Sequence, residues 1–178
     1  MIEKILSDSS ALFLFWLFAS AGIGKLKPAN RRYYADLMSE YLGSWASKLG
    51  GVIMLVGGVE LLSGLALLAP TTRMLGAIAI LALLVSYLAL MSYQLYQGKV
   101  EMDCGCSGPY SNIKVGPEIL VRNVVLCIIA ALCFLPAVAA FSSTIALASA
   151  LAIFFAFTYL SAEKAISNLQ KIKLLKAN

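Results

Sequence analysis

Residues 74–95, MLGAIAILALLVSYLALMSYQL, decide the fold class, because these 22 residues include no charged side chain. A helix that crosses the hydrocarbon core of a bilayer needs about 20 predominantly apolar residues. A transmembrane barrel strand would instead place a polar residue at every second position, which this stretch does not do. The stretch therefore predicts a transmembrane α-helix.

Four further stretches share this character, and the composition of the whole chain agrees with them. Of the 178 residues, 61% are hydrophobic and 13% are charged, which is too little charge for a soluble domain of this length. We predict an all-α, polytopic membrane helical bundle in a single transmembrane domain, with four core transmembrane helices and a fifth. The predicted spans are residues 5–24, 50–69, 74–95, 119–139 and 143–162 of the domain 1–178.

The first span also has features of a secretory signal peptide. Lys4 precedes an apolar run, and small residues follow at Ala19 and Ala21, as at a cleavage site. The apolar stretch is long enough to cross the bilayer, and we interpret it as a retained span.

An amphipathic segment follows this first span. In residues 30–48, NRRYYADLMSEYLGSWASK, apolar and aromatic side chains recur at helical spacing. Amphipathic helices with tyrosine and tryptophan on one face lie flat at the membrane interface. We therefore predict an interfacial helix that contacts membrane lipid and covers one end of the bundle.

Lysine and arginine are concentrated on one side of the predicted membrane. That side carries five of them between spans one and two, two between spans three and four, Arg122 at the start of span four, and four in the C-terminal tail. The opposite side has Lys4 and Arg73. The positive-inside rule therefore predicts that the rich side, including the loop of residues 102–109, faces the cytoplasm.

The second span contains an acidic residue that must be accommodated inside the membrane. Glu60 shares a helical face with Gly57 and Gly64, which leave a smooth surface for a neighbouring helix. An acid at the bilayer centre costs about 2.5–3.5 kcal/mol on insertion scales, so Glu60 needs a partner or a wet cavity. The candidate partners are Lys25, at the end of span one, and Arg122. The alternative is a helix-to-helix hydrogen bond with no role in a site.

Span four begins ILVRNVVLC, which places Arg122 and Asn123 inside the predicted membrane boundary. Arg122 can extend to the interface, whereas Asn123 is too short to do so and needs a polar neighbour. Cys127 and Cys133 lie further along this span, and we interpret them as small apolar packing residues.

The stretch MDCGCSGP, residues 102–109, places Cys104 and Cys106 on either side of one glycine. A disulfide between them would close a small, strained ring, and strained disulfides are labile and exchange readily. Gly105 tolerates the backbone angles that such a ring requires. The Ser-Gly-Pro sequence that follows is typical of a turn, so we expect the pair on an irregular, accessible segment. In such a redox pair, the neighbouring Asp103 disfavours a reactive thiolate, whereas Arg122 would favour one.

Two other interpretations of the cysteine pair are open. Two close thiolates also suit a soft metal ion such as Cu(I), with Cys104 and Cys106 as ligands and a third ligand from a methionine or a partner. The remaining alternative is a loop whose cysteines are incidental.

The chain contains no histidine, and this excludes several classes of function. Serine–histidine triads, histidine-ligated haem and histidine general bases are all ruled out. The sequence contains no phosphate-binding glycine motif, and we expect no nucleic-acid partner.

Taken together, these segments resemble the methylamine-utilisation MauE/DoxX-like family of redox-associated membrane proteins. The resemblance covers roughly residues 11–138 and includes AGIGKL, VELLSGLALL, DCGCSGP and LVRN. It implies an accessory protein of the bacterial inner membrane, with a fold similar to the four-helix bundles of quinone-linked disulfide-generating proteins. It further implies that Cys104 and Cys106 exchange disulfides with a thioredoxin-like or cysteine-containing client protein, and that a quinone accepts electrons.

The resemblance places the Cys-Gly-Cys loop on the periplasmic side, whereas the charge distribution places it in the cytoplasm. The leading hypothesis is a membrane thiol–disulfide redox protein with a polar pocket beneath the loop, formed by Glu60, Lys25, Arg122 and Asn123. The alternatives are a membrane protein that handles a thiophilic metal ion and a non-catalytic assembly or chaperone subunit.

Overall fold

The computed structural model describes residues 2–42, 50–98, 102–105, 108, 113–135 and 145–177. These residues form a bundle of α-helices, which confirms the predicted all-α membrane fold. The helices are α1 (Ile2–Leu26), α2 (Arg31–Leu42), α3 (Gly50–Ala66), α4 (Arg73–Tyr96), α5 (Pro117–Leu132) and α6 (Ile145–Ala177), with a short 3-10 helix at Pro28–Asn30.

The lengths of the helices differ from the predicted spans. Among the described residues, three helices are long and apolar enough to cross a membrane, and a fourth apolar helix is shorter; these are Ile2–Leu26, Arg73–Tyr96, Ile145–Lys173 and, as the short one, Gly51–Ala66. The fourth predicted span forms α5, which ends at Leu132, and residues 136–139 of that span lie outside the described residues. The fifth predicted span forms α6, which continues beyond residue 162 to Ala177, because the C-terminal tail is also helical.

Local sequence explains where several helices begin and end. At the end of α1, the Asn30 side-chain amide donates to the Gly24 carbonyl oxygen at 2.9 Å, which satisfies a group that the helix leaves open. Pro28, two residues after the last residue of α1, begins the 3-10 helix. At the start of α5, Gly116 is the N-cap and Pro117 the first helical residue, where proline's fixed φ and missing N–H carry no penalty.

Helix α1 is central, because it packs against α3, α5 and α6. Its closest approach is to α3, where a Cβ on Gly22 would lie 2.7 Å from the Gly57 carbonyl oxygen. The main apolar core is built around α1 and is lined by α4, α5 and α6; it includes Phe13, Leu14, Phe18, Ile80, Leu84, Leu126, Ala130 and Ala152. Cys133 is buried in this core and Cys127 packs against it, as predicted.

A buried ion pair lies at the end of the bundle where α1 and α4 both begin. Arg73 Nη1 donates to Asp8 Oδ1 at 2.7 Å, and the side chains of both residues are almost fully buried. Arg73 Nε also donates to the Leu67 carbonyl oxygen at 3.2 Å. Arg73 is therefore held by Asp8 inside the bundle, although the sequence placed it among the cations flanking the spans.

The predicted interfacial helix forms α2, and the rest of the predicted segment, residues 43–48, lies outside the described residues. Tyr34 is buried and Leu37 half-buried. Leu37 lies against Gly105, so α2 covers the end of the bundle that carries the Cys-Gly-Cys loop.

Candidate functional site

The loop that carries Cys104 is anchored by a short antiparallel pairing. The Cys104 amide donates to the Ile113 carbonyl oxygen at 2.9 Å, and the Val115 amide donates to the Met102 carbonyl oxygen at 2.8 Å. Asp103 is paired with Lys114 as an isolated bridge. Cys106, on the other side of Gly105, lies outside the described residues.

Cys104 is far less accessible than the sequence suggested, with 8% of its surface exposed. The segment is irregular at this residue, as expected, but the expectation that it is accessible is wrong. The reason is that loop side chains form a second apolar cluster with α4 and α5, which consists of Met91, Met102, Cys104, Ile113, Val115 and Ile119. Burial of apolar side chains holds the loop down on the bundle.

Helix α6 fastens the other side of the pairing. The Gln170 side-chain amide donates to the Lys114 carbonyl oxygen at 3.0 Å and accepts from the Lys114 amide at 2.9 Å. Lys114 also forms an ion pair with Asp103, with 3.1 Å between Nζ and Oδ1. The acidic neighbour of Cys104 is therefore paired with a lysine.

The backbone conformation at position 105 favours glycine, and α2 lies close to it. The Gly105 φ of +70° is in the left-handed region, which side chains disfavour. A Cβ at this position would also overlap Leu37 of α2. This glycine therefore lets α2 lie directly on the loop beside Cys104.

The sulfur of Cys104 faces a network centred on Arg122. Arg122 Nη2 lies 3.7 Å from Cys104 Sγ and 3.5 Å from Asn123 Oδ1. Arg122 Nη1 donates to Glu163 Oε1 at 2.8 Å, and the Tyr159 hydroxyl donates to the same oxygen at 2.8 Å. The guanidinium carbon is 5.6 Å from the centroid of the Tyr159 ring. A buried cation thus lies between a carboxylate and a cysteine sulfur.

Asn123 has the polar neighbours that its position requires. Besides Arg122, its side-chain amide donates to the sulfur of Met91 on α4 at 3.4 Å. Asn123 therefore links the Arg122 network to the apolar cluster beneath the loop.

Glu60 bonds to residues outside the Arg122 network. Lys25 Nζ donates to both oxygens of Glu60, at 2.9 and 2.8 Å, and the Tyr87 hydroxyl donates to Oε1. Lys25 Nζ also lies 5.7 Å from the Tyr34 ring centroid and 5.9 Å from that of Tyr87. Of the two candidate partners for Glu60, the structure selects Lys25, because Arg122 pairs with Glu163.

Two cavities lie within this region. The first, of about 140 Å³, is lined by Lys25, Tyr34, Leu37, Met38, Ile53, Val56, Tyr87, Leu90, Met91, Cys104 and Gly105. The second, of about 40 Å³, is lined by Glu60, Tyr87, Arg122, Asn123 and Tyr159 together with Leu17, Phe18, Ala21, Leu84 and Leu126. Both cavities have mostly apolar walls, and the four residues of the predicted polar pocket are divided between them: Lys25 lines the first, and Glu60, Arg122 and Asn123 line the second.

Sequence reasoning missed three residues of this site, which are Tyr87, Tyr159 and Glu163. Both tyrosines lie inside long apolar spans, where a single hydroxyl gives no signal. Glu163 carried a usable signal, since an acid directly after a predicted span can pair with a cation such as Arg122 near the membrane boundary.

A family model described as "Methylamine utilisation protein MauE" matches residues 3–136, which is most of the chain. This chain belongs to the MauE family. The methylamine utilization protein MauE of Paracoccus denitrificans is 25% identical over 130 residues, which cover 73% of this chain and 69% of that protein. No solved structure matches the chain. The matched region contains α1 to α5, whereas α6 lies beyond it.

Proposed function

We propose that this multi-pass MauE-family membrane protein is a thiol–disulfide redox protein whose Cys104 and Cys106 exchange disulfides with a thioredoxin-like or cysteine-containing client protein. The observation that carries the proposal is the 3.7 Å approach of Arg122 Nη2 to Cys104 Sγ. A cation beside a cysteine favours the thiolate, which is the reactive form in disulfide exchange. In this role the protein acts as an accessory factor in the maturation of its client.

The exchange proceeds in two balanced steps. The Cys104 thiolate attacks a partner disulfide, forms a bond to one partner sulfur and releases the other as a thiolate. The Cys106 thiolate then attacks Cys104 Sγ, closes the Cys104–Cys106 disulfide and releases the second partner thiolate. Two electrons pass to the partner, and the two cysteines give up their protons. Run in reverse, the same steps place a disulfide in a client dithiol.

Repeated donation of disulfides requires an acceptor of two electrons and two protons, which is the chemistry that a quinone supplies when bound. The residues beside Cys104 fit such a group, because the cavity of about 140 Å³ has mostly apolar and aromatic walls. An engineered apolar cavity of about 150 Å³ binds benzene, so this cavity would take at most the ring of a quinone, with the ring substituents outside it. We propose that Lys25 would hold a carbonyl oxygen of the ring, since it lines this cavity and two of its three ammonium hydrogens bond to Glu60, whereas the single hydroxyl hydrogen of Tyr87 is already donated to Glu60.

The metal-ion alternative would take Cys104 and Cys106 as ligands, with a methionine as the third. Met91 and Met102 pack in the same cluster as Cys104, but the Met91 sulfur accepts a hydrogen bond from Asn123. A thioether occupied in this way is a poor third ligand.

Trapping the mixed disulfide tests the proposal. The full-length protein in nanodiscs is incubated with an oxidised thioredoxin-type protein, and adducts are identified by non-reducing electrophoresis and mass spectrometry. Cys106→Ser should accumulate an adduct at Cys104, because the second step is blocked. Cys127→Ser is the matched control and should behave like the parent.

Two results would overturn this function. One is the absence of an adduct from every variant. The other is a stable complex with the partner that persists when Cys104 and Cys106 are both replaced by serine, which supports the assembly-subunit alternative.

We propose the bacterial inner membrane as the location, and the side of the loop is decided by labelling cysteines in intact cells. A membrane-impermeant maleimide is applied with and without a mild reductant, and modification of Cys104 and Cys106 is read by mass spectrometry. Labelling from outside after reduction supports exchange with a periplasmic client. Labelling only after lysis places the loop in the cytoplasm, as the lysine and arginine distribution predicts.

A further inference from the structure

We infer that α6 sets the reactivity of Cys104, and that Glu163 is the positioning residue through which it does so. Glu163 holds the Arg122 guanidinium and offsets its charge at the Cys104 sulfur. The inference rests on the proposed function, in which Cys104 is the attacking cysteine. It assigns a role to the helix that lies beyond the region shared with the MauE family model.

The Arg122 guanidinium contacts Glu163 and Cys104 through two different nitrogen atoms. Its Nη1 makes a charge-assisted hydrogen bond of 2.8 Å to Glu163, and its Nη2 lies 3.7 Å from Cys104 Sγ. The Tyr159 hydroxyl, one helical turn before Glu163 on α6, donates to the same carboxylate oxygen. The Arg122 and Glu163 side chains are 7% and 14% exposed, so water screens their charges little.

These two contacts have a consequence for the thiolate. Arg122 alone would present a full positive charge to the Cys104 sulfur. The Glu163 carboxylate, on the other branch of the same guanidinium, offsets part of that charge. A neutral side chain at position 163 should therefore increase the thiolate fraction of Cys104 at a given pH.

Other ionisable groups surround the sulfur and remain unchanged in the test. Lys25, Tyr34 and Tyr87 line the cavity that Cys104 shares with α1, α2 and α4. Asp103 and Lys114 lie in the loop pairing and form an ion pair with each other. Because these groups are constant between variants, a shift in the pH profile reports on the Arg122–Glu163 pair.

The experiment measures the pH profile of Cys104 alkylation by iodoacetamide. It uses the full-length protein with Cys106, Cys127 and Cys133 replaced by serine, so that mass spectrometry follows a single thiol. In this background, Glu163→Gln should move the midpoint to lower pH and raise the rate below the midpoint about tenfold, equivalent to about one pH unit.

The companion variants separate charge from structure. Glu163→Ala, the second neutral variant, should shift the profile in the same direction, and Glu163→Asp, which keeps the carboxylate, should restore the parent profile. Arg122→Gln should move the midpoint to higher pH. Glu118→Gln is the matched control, because it removes a carboxylate that also bonds to α6, through Lys173, but does not contact Arg122.

The outcomes distinguish this inference from the proposed function. A profile for Glu163→Gln that coincides with that of the parent or of Glu118→Gln, or that moves to higher pH, overturns the role of α6. If mixed disulfides form normally in that case, the proposed function stands without it. If the profile shifts as expected but no variant forms a mixed disulfide, the electrostatic inference holds and the exchange function fails.

Discussion

Replacing Gly22 by alanine should force α1 away from α3 and destabilise the bundle. A Cβ at this position would meet the Gly57 carbonyl oxygen at 2.7 Å and the Leu61 backbone nitrogen at 3.0 Å. Both atoms belong to the backbone, so no side chain can rotate away. The distance from the added Cβ to the Gly57 oxygen would have to grow from 2.7 Å to the 3.4 Å of an ordinary contact, so the helices must separate by about 0.7 Å.

The free-energy cost follows from two opposing effects. Overpacking of this kind costs about 1–3 kcal/mol. Alanine returns up to about 1 kcal/mol because it is a better helix former than glycine. A net loss of about 1 kcal/mol lowers the Tm by about 2–4 °C in a chain of this size.

Thermal unfolding of the detergent-solubilised protein measures the difference. Gly58→Ala is the matched control, because a Cβ at Gly58 meets nothing within 4 Å while the change in helix propensity is the same. Gly58→Ala should leave the Tm unchanged or raise it. A Tm for Gly22→Ala equal to that of Gly58→Ala would refute the claim that α1 and α3 are in backbone contact.

Two further predictions concern the ion pair and the loop. Glu60→Gln should destabilise the protein by about 3–5 kcal/mol in equilibrium unfolding, because it leaves the Lys25 ammonium buried without its carboxylate. Adding Lys25→Met should recover most of this loss, and a double variant as unstable as Glu60→Gln alone contradicts the prediction. Gln170→Ala removes two hydrogen bonds to Lys114, each worth about 0.5–1.5 kcal/mol, so the Lys114 amide should exchange its hydrogen faster. Unchanged exchange at that amide would show that α6 does not hold the loop.

Much of the fold could be predicted because bilayer crossing constrains sequence strongly. A stretch such as residues 74–95 has one physical explanation, and the structure forms α4 there. The end of α6 could not be placed from hydropathy, since residues 163–177 are polar enough to be read as a tail. They remain helical, and they bond through Gln170 to Lys114 of the loop and through Lys173 to Glu118 of α5. No local pattern reveals these contacts between distant parts of the chain.

The sequence predicted which residues belong to the candidate site better than it predicted which of these residues bond to each other. Intramembrane cost identified Glu60 and Asn123 as residues that need partners, and both have them. Choosing between Lys25 and Arg122 as the partner of Glu60 required the helix arrangement, because both lie near the same end of the bundle. The burial of Cys104 could not be foreseen either, since it results from apolar loop residues such as Ile113 meeting α4 and α5.

The two buried ion pairs of α1 together fix how this helix is aligned during assembly. Asp8 near its start pairs with Arg73, and Lys25 near its end pairs with Glu60, so the charges on α1 have opposite sign at the two ends. A slide of one helical turn, about 5.4 Å, would separate both pairs at once. On insertion scales an unpaired charge costs up to about 2.5–3.5 kcal/mol, the value at the bilayer centre, and less towards the helix ends. The loss of both pairs therefore disfavours a misaligned bundle, in addition to the close contact of Gly22 with Gly57, which also depends on the position of α1.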